Sequence, residues 1–208
     1  RIMLSRANPK DLGIIRDGVK KSFEIRKNIE KKEVFINNFD LKTFHIAEDI
    51  HNYLDKSIIQ DPPINLKDEI IIPKGFDKTL DETIETRNNS KNIIVLKQKK
   101  YSETLKINAL KIKYNNFLGY FFEIPIKHKE KLFEQKKVEI ISRQNTQNTF
   151  RFSTKELIEI SEKILNADQK INEIQNNIFK KTIQFIQKNS PTIRIISKFV
   201  SEIDLSYS

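Results

Sequence analysis

The 208-residue chain contains no cysteine and no tryptophan, one methionine and four glycines. Without cysteine there is no disulfide framework, no thiolate metal site and no cysteine nucleophile, a composition that fits a reducing compartment. The glycines, at positions 13, 18, 75 and 119, are too far apart for a phosphate-cradling loop or a dinucleotide fingerprint; both need several glycines at short fixed spacing. Nucleotide binding by those two routes is excluded. Long apolar runs are also missing, since Ile70–Ile72 and Ile93–Leu96 fall far short of the roughly 18 to 20 residues of a membrane span. The start at Arg1 has no signal-peptide succession of charged, apolar and small residues, so the expectation is a soluble stretch excised from a longer protein, with no membrane partner.

What the chain has is charge. There are 38 Lys and Arg against 28 Asp and Glu, a net +10. Richness in Lys, Ile and Asn would follow from an AT-rich genome without selection for an acidic partner, so the distribution is more informative than the total. Between Thr104 and Phe152 stand ten basic and four acidic residues, which places +6 of the net charge in that segment.

Periodicity divides the chain. Asn8-Pro9 is a helix start, with Asn8 as cap and Pro9 where its missing donor costs nothing; Leu12, Ile15, Val19 and Phe23 follow on one face. A second helical stretch is expected from about Lys31 to Ile59, ended by Asp61-Pro62-Pro63, before a short extended piece at Glu69–Ile72 and a turn at Pro73-Lys74-Gly75. From about Asp77 to Glu103 the residues Leu80, Ile84, Ile94, Val95 and Tyr101, followed by Leu105, form a broad amphipathic stripe. The strongest signal runs through Leu157, Ile160, Ile164, Ala167, Ile171, Ile174, Ile178 and Phe185, in steps of three and four with one skipped, a coiled-coil seam. Ser153 and Glu156 have capping-box spacing at its start, and Pro191 is expected to break the chain before a last helical turn or two, Ile193 to Leu205.

Between the two long helices the period changes to two. Lys106–Tyr114, Tyr120–Pro125 and Lys137–Ile141 read as strands, with Asn115–Gly119 as a hairpin loop whose glycine takes positive φ. The expected fold is mainly α with a small antiparallel β insert: two long antiparallel helices carrying a basic β module at their tip. His45, His51 and His128 are too scattered for a metal site. No catalytic constellation stands out.

Several blocks are familiar. R-A-N-P-K-D-L at Arg6–Leu12, D-P-P at Asp61–Pro63, G-F-D-x-x-L-D at Gly75–Asp81, L-K-I-K-Y-N-N-F-L-G-Y at Leu110–Tyr120 and R-Q-N-T-Q-N-T-F-R-F-S-T-K-E-L at Arg143–Leu157, with E-K-I-L-N-A at Glu162–Ala167, resemble in order the core, lever and clamp regions of the MutS family of DNA mismatch-repair proteins. The chain departs from the family's usual pattern at Lys113, which replaces a small residue, at the lone Gly75, and at Asn145-Thr146, Gln147 and Phe150.

The resemblance implies part of the core helical domain at 1–76, lever helices at 77–103 and 153–208, and the clamp at 104–152. It implies sequence-independent gripping of duplex DNA through the sugar-phosphate backbone, with DNA occupancy coupled to the ATPase domain of the parent. The implied contacts are Asn115 and Asn116 in one loop and Gln147 and Asn148 in another, both at the tip, with Lys111, Lys113, Arg143 and Arg151 around them. The stretch itself is expected to be no enzyme and to hold no cofactor, since ATP, Mg²⁺ and the mismatch reader belong to other domains. Expected partners are duplex DNA and, in the parent, a second MutS subunit and MutL; the stretch alone is expected to be monomeric, and the parent cytoplasmic and nucleoid-associated in a bacterium. Each residue also has a plainer reading: Asn115-Asn116 as a turn, Arg151 paired with a lever carboxylate, and Tyr114, Tyr120, Phe121 and Phe122 as a small β core. For the whole chain the rivals are a coiled-coil tether whose β tip binds another protein, and a single-strand binder that stacks bases on those aromatics.

Overall fold

The computed structural model describes residues 1–4, 6–30, 41–65, 69–135, 138–143 and 145–207. Among these the elements run α1 (Pro9–Glu30), α2 (Leu41–Ser57), α3 (Lys78–Thr104), β1 (Lys111–Asn115), β2 (Gly119–Pro125), α4 (Lys129–Glu134), β3 (Ile141–Ser142), β4 (Thr149–Ser153), α5 (Lys155–Lys188) and α6 (Ser190–Tyr207). The protein is mainly helical with one small antiparallel sheet of order β1-β2-β4-β3, as expected. The first ten residues of the helix expected from Lys31, together with Lys136, Lys137 and Gln144, lie outside the described residues. No described helix is long and apolar enough to cross a membrane. The chain divides into two compact units, Arg1–Lys78 with Asn172–Ser208, and Thr79–Ile171.

In the first unit, α1 opens with a reciprocal cap. Asn8 Oδ1 accepts from the Asp11 amide at 3.0 Å and Asp11 Oδ2 accepts from the Asn8 amide at 2.8 Å. Leu12, Ile50, Leu54, Ile58, Ile183 and Ile186 form one core cluster; Val19, Ile29, Phe44, Ala47, Ile196 and Phe199 form another. Arg16 is buried one turn from Leu12 and donates Nη1 to Ile59 O and Nη2 to Gln60 O, closing the chain just beyond the end of α2. Glu69–Ile72 is pinned by one side-chain amide: that of Gln175, also buried, accepts from the Ile71 amide at 2.7 Å and donates to Glu69 O at 3.3 Å. The last helix is longer than expected, spanning 18 residues. Pro191 lies in its first turn, where no amide donor is required, so it starts α6 instead of postponing it.

In the second unit, α3 and the first half of α5 are antiparallel. Lys97 and Tyr101 bond Glu156 near the sheet, and further along Arg87 Nη1 reaches Asp168 at 3.2 Å. The inner side of α3 is partly polar, with Thr83, Ser90 and Ile94 buried, and this rotates Val95 out to 69% exposure although it was expected in the stripe. Burial pushes the Tyr101 phenol above its ordinary value, which keeps it a donor to Glu156. The cap of α5 is Thr154, whose Oγ1 accepts from the Leu157 amide at 3.2 Å, and not Ser153, so Glu156 is spent on α3 and not on a capping box.

The strand expected from Lys106 begins only at Lys111. Before it, α3 ends in a Schellman turn: Ile107 N–H bonds Ser102 O, Lys106 N–H bonds Glu103 O, and Lys106 takes φ 51°. Leu105, Ile107 and Leu110 are buried from this turn, which mimics strand alternation. The helix α4 and strand β4 were not expected; β4 carries Phe150 and Phe152 into the core beside Phe122, Ile124, Leu157, Ile160 and Ile164.

Candidate functional site

Strand alternation sends Ile112, Phe122, Ile124, Phe150 and Phe152 to the core face of the sheet and their neighbours to the other face. The pairing puts Lys111 opposite Glu123 and Glu123 opposite Arg151. The Arg143 amide bonds Arg151 O at 2.9 Å, which sets Arg143 opposite Arg151. Lys111, Glu123, Arg151 and Arg143 therefore form one row across β1, β2 and β4 and onto the residue that follows β3, about 14 Å wide at the usual inter-strand spacing. Lys113 stands diagonally beside Glu123 on the same face. The four cations singled out from sequence thus converge on a single surface.

Glu123 organises that surface. Its side chain is one-tenth exposed, Oε1 meets Lys113 Nζ at 2.5 Å and Oε2 accepts from Arg151 Nε at 2.8 Å. Burial alone would raise the carboxyl, but the hydrogen bonds from Lys113 and Arg151 outweigh it and hold the group below its ordinary value. The Arg151 guanidinium also lies 5.1 Å over the Phe121 ring. Arg151 does pair with a carboxylate, one in the sheet and not on a long helix. Arg143 keeps a buried Nε with no hydrogen-bond partner among the described residues.

The two loops lie at opposite ends of β2. Asn115 pairs with Gly119 at one end, while at the other Pro125 pairs with Thr149 and Asn148 O accepts from the Ile126 amide. Six residues at about 3.3 Å each separate these ends by roughly 20 Å, so the two loops are not adjacent. Asn115 acts in its own turn, Oδ1 accepting from the Phe117 and Leu118 amides at 3.0 and 2.7 Å. Asn116 is exposed beside it, and Phe117 is 88% exposed. Gln147 and Asn148 are the exposed centre of a tight turn closed by Thr146 and Thr149, whose hydroxyls meet at 2.7 Å. Asn145 Oδ1 accepts from the Arg151 amide at 2.9 Å.

Phe121 and Phe122 are buried and Tyr120 packs on the core, whereas Tyr114 remains 54% exposed. No group of described acidic or histidine side chains could hold a metal ion. Gly13 and Gly18 lie inside α1, and Gly75 and Gly119 have positive φ in turns. Sequence reasoning missed Glu123; the signal available was a lone carboxylate inside the apolar run Tyr120–Pro125.

Residues 75–170 match the family model described as MutS family domain IV. The chain is 33% identical over 207 residues to the DNA mismatch repair protein MutS of Ruegeria sp. (strain TM1040), covering 99% of this chain and 24% of that protein. It is 32% identical over 206 residues to the protein of the same name from Clostridium botulinum (strain 657 / Type Ba4), covering 98% of this chain and 22% of that one. The chain spans about a quarter of the length of the curated relatives it matches. With likeness over nearly all of its residues and domain IV within it, the chain belongs to the MutS family.

Proposed function

We propose that this chain is the lever and clamp portion of a mismatch-repair protein and that the face of its sheet bearing Lys111, Lys113, Arg143 and Arg151 holds duplex DNA by the sugar-phosphate backbone, without reading sequence. The observation that carries the reading is the convergence of Lys111, Lys113, Arg143 and Arg151 on that face. Cations at a duplex release condensed counterions, and exposed amides such as those of Gln147 and Asn148 donate to phosphate oxygens; neither contact distinguishes bases. The long helices α3 and α5 would pass DNA occupancy to an ATPase domain of the whole protein, in which a second subunit and MutL are the partners to test.

The test is fluorescence anisotropy with labelled duplex and single-stranded DNA of equal length across a salt series. Duplex should be preferred, with a log-log salt slope of roughly −2 to −4, as for two to four neutralised phosphates. A preference for single strands would favour base stacking, and absence of binding at low salt would favour a protein-binding tether.

A further inference from the structure

The row across the sheet contains one residue that simple attraction for a polyanion does not call for. Glu123 removes a unit of positive charge from the middle of the basic face, and it does so from a buried strand position, where a carboxylate is disfavoured unless paired. Both of its oxygens are taken, by cations from the strands on either side of it. Lys113 and Arg151 would otherwise be long side chains with considerable rotamer freedom, and Arg151 faces the like charge of Arg143 directly. The geometry of the bond matters. Glu123 takes Arg151 by Nε, Nη1 and Nη2 make no hydrogen bond among the described residues, and the guanidinium carbon lies 5.1 Å from the Phe121 ring centroid. Lys113, half exposed, gives one of three donors to Glu123.

We propose that Glu123 is the positioning residue of the backbone-binding face: its carboxylate fixes Lys113 of β1 and Arg151 of β4 as one rigid pair whose outward donors meet phosphate oxygens together. This rests on the reading of that face as a duplex-binding surface. The cost is one charge of long-range attraction; the gain is that two side chains are ordered before DNA arrives. Lys113, reaching Glu123 from β1, makes the clasp two-sided.

The experiment measures duplex affinity of the full chain and its variants at about 0.1 M salt, with folding followed by circular dichroism. Glu123→Gln raises the net charge by one, so attraction alone predicts tighter binding; loss of positioning predicts binding weaker by about tenfold, the size of one charge-assisted hydrogen bond. Glu123→Asp keeps the charge and withdraws the carboxylate by one methylene, so it too should weaken binding, and it replaces Glu123→Gln should that variant fail to fold. Arg151→Ala should cost several-fold less in the Glu123→Gln background than in the wild type. Lys111→Gln, which does not touch the clasp, tests the face itself. If Lys111→Gln weakens binding while folded Glu123→Gln and Glu123→Asp bind as tightly as wild type or tighter, the positioning role is overturned and the duplex-binding face stands. If Lys111→Gln, Arg151→Ala and Glu123→Gln all leave affinity unchanged, the face is not where DNA binds and both readings fall.

Discussion

A Cβ built on Gly119 would stand 2.7 Å from Ser161 Oγ, the same atom that accepts a hydrogen bond from the Tyr120 amide at 3.2 Å. Strand β4 pairs with β2 only from Phe122 to Pro125, so Ser161 of α5 takes over the edge of β2 where the ladder stops. Gly119 is required twice, for φ 67° and for this close approach. Gly119→Ala should therefore lower stability by about 2 to 3 kcal/mol, combining left-handed strain with a clash. In a Ser161→Ala background the same substitution should cost only the backbone part, about 1 to 2 kcal/mol. Urea unfolding of the four proteins measures the coupling, and strict additivity would show that the two residues do not meet as described.

Lys106 presents the opposite case. It holds φ 51° at the Schellman position that ends α3, where glycine is the usual occupant. Lys106→Gly should stabilise the protein by about 1 kcal/mol, offset in part by the greater freedom of glycine in the unfolded chain. Its carbonyl still accepts from Lys131 Nζ in the variant, since that bond uses only backbone at position 106. A rise in the thermal midpoint checks this, and a fall would mean that the lysine side chain itself supports the turn.

These two positions show where the sequence was legible. Gly119 could be assigned a positive φ because a lone glycine closed a loop between alternating runs, and the α5 seam was clear because Leu157, Ile160, Ile164, Ala167 and Ile171 are all buried in turn. Lys106 gave no signal, since a lysine in the left-handed region looks like any other, and the Leu105–Ile107 alternation around it read as strand. The inner face of α3 was misplaced at Val95 because Thr83 and Ser90, not apolar residues, mark it. Strand β4 hid behind polar neighbours that left only Phe150 and Phe152 to alternate. The candidate site was half legible: its four cations stood out by type, but their common face depends on the register of strands far apart in sequence. Glu123 finds Lys113 and Arg151 ten and 28 residues away, pairings that no local pattern encodes.

The pairing of α3 with α5 has a pH signature. The Glu156 carboxyl is held below its ordinary value of 4.5 chiefly by the hydrogen bond from Lys97, with burial opposing and Tyr101 adding a second bond. A carboxyl lowered by folding contributes stability that is fully present above its unfolded value and is lost as pH falls through the folded one. Glu156→Gln should accordingly be less stable than wild type at about pH 6, and the gap should close towards about pH 3 as the wild-type group takes up its proton. Denaturant midpoints at several pH values give the comparison. A gap that stays constant over that range would mean that Glu156 acts through packing and not through charge.

The two loops at the ends of β2 allow the DNA reading to be tested without disturbing the fold. Asn148 holds structure by its backbone carbonyl, which accepts from the Ile126 amide at 2.9 Å, while its side chain is exposed. Asn115 is unsuitable because its side chain builds the hairpin turn, so exposed Asn116 is the probe at that end. Asn148→Ala should weaken duplex binding by about 0.5 to 1.5 kcal/mol, the worth of one hydrogen bond, and Asn148→Asp by more, because it sets a negative charge against a phosphate. Asn116→Asp should weaken binding as well. Over the roughly 20 Å between the two ends a duplex carries about twelve phosphates, so one lying along β2 presents backbone to both loops. All three effects should be alike for every sequence, matched or mismatched, because phosphate contacts carry no base information. If Asn148→Asp binds duplex as wild type does while circular dichroism shows it folded, the Thr146–Thr149 turn is not a DNA contact; if only Asn116→Asp is silent, the duplex crosses the sheet at the Asn148 end instead of lying along β2.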